Sequence, residues 1–504
     1  MKPWLLICLT LLCGHAYPQK PVREVTLLYT NDIESVYEPI EAFWRDDIHR
    51  MGGIPNVAAQ LNRLRSREGV FFTLDAGDIF TGALSKVTLG RLPFDLYSAM
   101  GYDAVNLGNH EFEYGWRVLR EVMPRARFPV LGANIFFSET DVSFAQPYAI
   151  LEKQGIRVGV IGTMGVDAFI NTMMPNNRQG LRVEKPVQVI QPLVDSIREE
   201  VDLVVVLTHQ NRTAPMQTNK EADPQVQRGI DEDYELAGLL RGVDMIIGGH
   251  SDNGLHQPVV HPESGIPIGM TFGQGMHVGS ATFRLDPVPT MISARLIPVD
   301  ADKLTADPVT SGLIQSVRAK YPELAQVVGH LDRQAPRLYY QESHLGNLLA
   351  DFLRSWAKVD IGLVPAGAIR ADLEAGPVTR ENILNVFPFK DTLTVVQVTG
   401  GDVIKLLEKS LSLEYGFAQY SGLQVWLRGQ AIERIEIGGM PLVEDKVYSL
   451  ATGSFTASGG ENYQILARSP QSVSTTLVSD AFVEMLGLQE RHRVPDVGRF
   501  LQQE

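Results

Sequence analysis

Cysteine is almost missing from this sequence: it occurs twice in 504 residues, as Cys8 and Cys13, both near the N-terminus. The remainder therefore holds no disulfide framework and no thiolate metal centre. Beyond the N-terminal segment no stretch reaches the roughly 18 consecutive apolar residues needed to cross a bilayer, so no membrane span is expected. Basic residues are also short, 45 Lys and Arg against 59 Asp and Glu for a net charge of −14, with no polybasic run. Nucleic acid gripped by its backbone is excluded as a partner, and a small anionic ligand would need a local metal or arginine site to overcome the repulsive field. What is present suits packed cores: 44% of residues are hydrophobic and 21% charged, which excludes disordered, collagen-like and coiled-coil classes. At about 150 residues per domain the length implies two or three domains.

The N-terminus has the pattern of an export signal, residues 1–16: Lys2, an apolar run from Trp4 to Leu12, then Gly14-His15-Ala16 with small residues suited to cleavage after Ala16. A lipoprotein signal would want a small residue where Leu12 precedes Cys13. The expected location is periplasmic or extracellular. From Glu24 to about Pro298, short β-branched runs alternate with helical patterns, the signature of α/β layering. One helix is expected from Pro55 with Val57, Leu61 and Leu64 on its face, another from Pro93 to a stop at Gly101, and a third through Trp116, Leu119 and Met123. Residues 305–328 read as a helical connector. A second domain, 329–504, opens with a strong amphipathic helix through Leu345, Leu348, Leu349, Phe352, Leu353 and Trp356.

Five apolar runs of the first domain end directly in polar residues: Asn31-Asp32-Ile33-Glu34, Asp75-Ala76-Gly77-Asp78, Asn109-His110-Glu111, His209-Gln210 and His250-Ser251-Asp252. In open α/β sheets the carboxyl ends of strands line the ligand crevice, so these groups are expected to converge on one edge. A single Asp or Asn after a strand is an ordinary turn or cap. Five together supply the residue types that bind hard or borderline divalent ions.

The motif order NDxE, DAGD, GNHEF, THQN, GGHSD resembles the calcineurin-like metallophosphoesterases. Together with ESHLGNLLAD, GAIR, VFPF, GFAQYSGL and FTASGGENY, it resembles the exported bacterial 5′-nucleotidase family over about residues 24 to 500. The resemblance implies a four-layer α/β/β/α metallophosphoesterase domain at 24–304 and a mixed α/β substrate-binding domain at 329–504. It implies two divalent metal ions, one on Asp32, Glu34, Asp78 and Asp252, the other on Asp78, Asn109, His209 and His250, with Asp78 bridging. His110 would act on the phosphate or leaving group, oriented by Glu113, where the family usually has Asp. Phe389 and Phe455 match two rings that sandwich a nucleobase, while Arg370 and Glu461 match groups near the phosphate and sugar.

There are departures. Glu34 and Asp252 stand where the family usually has nitrogen or neutral ligands; the resulting four-carboxylate site favours Mn²⁺ or Mg²⁺, with Zn²⁺ still admissible. Pro365, Tyr339, Gln341 and Asp391 also depart from the nucleotide-binding pattern. The implied activity is metal-dependent hydrolysis of a nucleotide or related phosphoester. The alternatives are the same chemistry on another small phosphoester or a sulfur ester, and a catalytically weakened binding homologue. Oligomeric state is not legible.

Overall fold

The structure is a computed structural model that describes residues 23–42, 44–211 and 230–503. The expected export signal, 1–16, lies outside the described residues.

Two six-stranded sheets form the centre of the first domain. In one, the strand Glu24–Thr30 runs parallel to Val70–Asp75, which pairs in parallel with Ala104–Asn106. In the other, Leu203–His209 is parallel to Met245–Ile247. Leu203–His209 is buried along its whole length, as expected for a strand covered on both faces, and its near-continuous apolar run follows from that. Leu27, Tyr29, Phe72 and Leu74 of one sheet meet Val158, Val205, Leu207 and Ile247 of the other in a common core. Helices cover the two outer faces, through Val57, Leu61 and Phe94 against Leu28 and Val105 on one side. On the other side Ile190, Val194 and Leu236 pack on Val204, Val206 and Ile246. This is the four-layer α/β/β/α arrangement.

Local sequence accounts for the outer layer. Helix Ile54–Arg65 carries Pro55 in its first turn, where the missing N–H has no intrahelical partner to lose. Helix Arg91–Met100 ends at Gly101, whose φ of 71° is left-handed, a conformation glycine adopts without steric strain. The third helix spans Trp116–Val122.

The connector 305–328 is not one helix. Helix Pro308–Arg318, capped by Asp307 Oδ1 accepting the Thr310 N–H at 2.8 Å, buries Ile314 and Val317 in the first-domain core. A short turn Pro322–Ala325 follows, and Val327 already opens the strand Val327–Leu331, paired with Gly376–Thr379 of the second domain. The helical periodicity ended earlier than its polar composition suggested.

The second domain is built on a five-stranded and a four-stranded sheet. Helix His344–Ala357, whose cap Ser343 Oγ accepts the Gly346 N–H at 2.9 Å, buries Leu345, Leu348, Leu349, Phe352 and Leu353 against it. The domains touch directly: Arg318 pairs with Glu381 at 2.8 Å, and Asn385 Oδ1 accepts the Ala83 N–H at 2.8 Å.

Candidate active site

The five polar motifs sit at the carboxyl ends of five strands, three from one sheet and two from the other. The expectation of one edge is thus corrected to the shared end of two stacked sheets. Backbone shape sets them apart from ordinary turns. Asp32, Glu34, Asp78, His250 and Asp252 all have left-handed φ, between 51° and 79°. Such conformations are sparsely populated by non-glycine residues and collect at functional sites.

Asp78 is central. Its Oδ2 lies 3.0 Å from His209 Nε2 and 3.8 Å from His110 Nε2, and its Oδ1 accepts the His110 backbone N–H at 2.8 Å. Among the described residues, Asp78 belongs to both acid–imidazole groups compact enough for an ion, Asp78–His209–His250 and Glu34–Asp78–His110. Gly108 makes the approach feasible, because a Cβ there would overlap both Asp78 Oδ1 and His209. His209 Nδ1 is 3.0 Å from the Ala76 carbonyl oxygen and Nε2 is 3.1 Å from Asn109 Oδ1. With both ring nitrogens facing acceptors, an ion at this cluster would take the place of the Nε2 proton, while the Ala76 carbonyl keeps the ring oriented through Nδ1, the usual support for a ligating imidazole. Both Asp32 oxygens accept the His250 N–H, at 2.9 and 3.0 Å, and Asp32 is further held by Asn31 at 2.7 Å.

The electrostatics of these groups diverge. Burial pushes the His250 ring down to about 3, helped by neighbouring His209, so it is a neutral imidazole. Burial also pushes Asp32 up to about 6 and Asp252 well above the usual carboxylate range, with the negative neighbours adding to both. Burial opposes charge on His209 and His110 as well, yet the surrounding carboxylates together outweigh it, Asp78 foremost with Asp32 at His209 and Glu113 at His110, and raise the two rings to about 9 and about 10. Asp252 Oδ1 is buried without a hydrogen-bond partner, and Gly273 leaves it room where a Cβ would overlap it. Crowded carboxylates, one with an orphaned oxygen, beside two imidazoles, of which His250 is neutral and His209 is oriented by the Ala76 carbonyl, make a donor set that fits divalent cations.

His110 Nδ1 lies 2.6 Å from Glu113 Oε1, which also accepts the Thr81 hydroxyl at 2.8 Å. Phe389 of the second domain stacks over the His110 ring, centroids 6.1 Å apart and planes at 26°. Arg370, its side chain 11% exposed, forms an ion pair with Glu34 across the domain boundary. One cavity of about 240 Å³ is lined by Glu34, Asp78, Asn109, His110, Glu113, His250 and Asp252 from the first domain, and by Arg370, Phe389, Phe455 and Glu461 from the second. Asp32 and His209 lie behind it, held as described. Four polar atoms facing this neighbourhood are buried without partners: Glu113 Oε2, Asp252 Oδ1, Arg370 Nε and Glu461 Oε2.

Residues 47–253 match the model of the calcineurin-like phosphoesterases, and residues 326–468 match the C-terminal domain of 5′-nucleotidase. The chain carries a calcineurin-like phosphoesterase domain followed by a 5′-nucleotidase C-terminal domain. UshA of Yersinia enterocolitica is 26% identical over 513 residues, covering 92% of this chain and 90% of its own. The 5′-nucleotidase of Vibrio cholerae is 27% identical, over 95% of this chain and 92% of its own. The solved structure of the 5′-nucleotidase precursor from Thermus thermophilus superposes with a TM-score of 0.82 at 25% identity, covering 95% of this chain and 99% of that one. With these two domains, the protein is a metal-dependent phosphoester hydrolase of the 5′-nucleotidase type.

Two residues that shape the site escaped the sequence reading. Glu111 was visible only as part of GNHEF, but its buried carboxylate accepts the backbone N–H groups of Asp78, Ile79, Phe80 and Gly108, at 2.6 to 3.1 Å. It clamps the Asp78 loop to the Asn109 loop. Asp391, noted only as a departure, accepts the Phe455 N–H and the Ser454 hydroxyl on one oxygen, both at 2.6 Å. Its neighbourhood to Phe455 arises from strand pairing across 64 positions, which no local pattern announces.

Proposed function

We propose that this protein removes the phosphate from nucleoside 5′-phosphates in the cavity between its two domains, outside the cytoplasm. One ion is assigned to Asp32, Glu34, Asp78 and Asp252, and a second to Asp78, Asn109, His209 and His250. The convergence of the acid–imidazole cluster with Phe389 and Phe455 on a single cavity carries this reading, since the two sets come from different domains. The names of the relatives, 5′-nucleotidases among them, support the substrate class, and the N-terminal pattern of Lys2 and the Trp4 to Leu12 run supports export.

Ions held by these residues would supply positive charge against the phosphoryl oxygens and a means of acidifying water for attack. The oxygen-rich donor set suits Mn²⁺ or Mg²⁺. His110 faces the cavity and donates to the phosphoryl or leaving oxygen, while Glu113 keeps its ring in register. Phe389 and Phe455 present half-buried rings to the base. Arg370 offers its unpartnered Nε, and Glu461 its unpartnered oxygen, to the phosphate and sugar.

A panel of nucleoside 5′-monophosphates, cyclic nucleotides, glycerol phosphate and a thiosulfate ester, assayed on metal-replete protein, tests the proposal. The 5′-monophosphates are expected to give the highest kcat/KM. Comparable turnover of glycerol phosphate or of the thiosulfate ester would refute it.

A further inference from the structure

The backbone of Phe389 is anchored from the opposite domain. Lys86 Nζ donates to the Phe389 carbonyl oxygen at 2.9 Å and reaches Ser479 Oγ at 3.4 Å. Lys86 lies on helix Gly82–Thr88, and one turn earlier on that helix the Ala83 N–H is accepted by Asn385 Oδ1 at 2.8 Å. The second-domain segment 385–389 therefore grips this helix at two points about one helical turn apart.

The helix also follows directly from the Asp78 loop. Thr81, the residue before its first turn, donates its hydroxyl to the same Glu113 oxygen that meets His110. The acid–base pair and the ring stacked over it are thus held by one short element. Lys86 does not line the cavity. Burial pushes its ammonium down to about 8, with the charges of Glu113 and Asp480 favouring the cation and those of Lys390 and Arg380 opposing it. A desolvated charge spent on a backbone oxygen fixes that oxygen more firmly than a neutral donor would.

We propose that Lys86 is a positioning residue that fixes Phe389 over His110 and thereby sets affinity for the nucleobase without touching substrate or metal. The inference rests on the assignment of Phe389 to the base, and two arms separate the fates of the two ideas.

The first arm needs no substrate. Phe389→Trp is compared with Phe389→Trp/Lys86→Met by emission and iodide quenching, each read as the difference from its Phe389 parent. Loss of Lys86 is expected to shift the new emission to the red and to increase quenching; identical spectra would overturn the proposal. Lys86→Met keeps the apolar stem and removes a buried charge, so the fold is expected to persist, and an unshifted melting transition checks this.

The second arm is kinetic. Lys86→Met should raise KM for a nucleoside 5′-monophosphate about tenfold, equivalent to about 1.4 kcal/mol, with a smaller effect on kcat, and Lys86→Arg should recover most of the loss. For ribose 5-phosphate, which lacks the base, the rise in KM should be several-fold smaller. Equal rises on both substrates would overturn the role of Lys86. A wild type that hydrolyses no nucleotide would instead refute the assignment of substrate, and the tryptophan arm would still decide whether Lys86 fixes residue 389.

Discussion

Arg370 reaches across the domain boundary to pair with Glu34, and the same Glu34 oxygen lies 3.5 Å from His110 Nε2. One carboxylate therefore serves as the meeting point of the cleft arginine, the candidate acid–base histidine and the candidate metal cluster. Replacing it tests which role dominates. Glu34→His adds an imidazole to an otherwise all-oxygen group, and imidazole suits zinc better than carboxylate does. The expected outcome is a shift of metal preference from Mn²⁺ or Mg²⁺ toward Zn²⁺, read from metal content and turnover after chelation and reloading. A wild type already best with zinc, together with no change in the variant, would remove Glu34 from the ligand set.

Asp78 contacts His209 and the His110 backbone through different oxygens. Asp78→Asn should lower metal stoichiometry and abolish turnover, because an amide supplies one neutral oxygen where a shared carboxylate supplies two charged ones. Elemental analysis alongside a phosphate-release assay checks this. Full metal content with normal activity would sink the bridging assignment.

His110 is expected to act in the chemical step rather than to hold an ion. His110→Asn should reduce kcat by about 10² to 10⁴, the range for one positioned acid–base group, with metal content retained. Loss of an ion from the variant would reassign the ring as a ligand.

Phe389 and Phe455 should act on the base alone. Each truncation to Ala is expected to raise KM for a nucleotide about tenfold, and to do so far more than for ribose 5-phosphate. Matching losses on the two substrates would make the rings packing residues.

Asp391 carries a pH signature. Burial raises its carboxyl from 3.8 to about 6, outweighing the hydrogen bonds from Ser454 and Phe455. The folded state therefore holds this proton more tightly than the unfolded state, and its stabilising contribution is complete below about pH 4 and lost by about pH 6. An amide at this position can accept the Phe455 N–H without ionising. The melting temperature of Asp391→Asn relative to wild type, measured on metal-free protein, should accordingly rise between pH 4 and pH 7. A constant difference across that range would contradict the assignment.

Much of the catalytic edge was legible because strand alternation and a polar terminus are local properties: the runs before Asp32, Asp78, Asn109, His209 and His250 are all strands that stop where the charge begins. The connector was misjudged as one helix because polar helical periodicity over 305–328 does not reveal that Val327 finds a strand partner at Thr379. Glu111 stayed hidden for a similar reason, since its four N–H donors come from two loops that only the sheet brings together.

The sequence by itself determined the α/β layering, the absence of cysteine chemistry, the residue types of the site and the amphipathic helix His344–Ala357, all of which follow from composition and short-range period. Only the tertiary structure decided that the motifs belong to two stacked sheets, that five of the seven candidate ligands adopt left-handed backbone, and that Arg370 and Lys86 each reach across to the opposite domain. Strain of that kind is held in place by packing from distant segments, and an ion pair between positions 34 and 370 forms only because burial of both domains' cores fixes the cleft between them; neither leaves a trace in local periodicity.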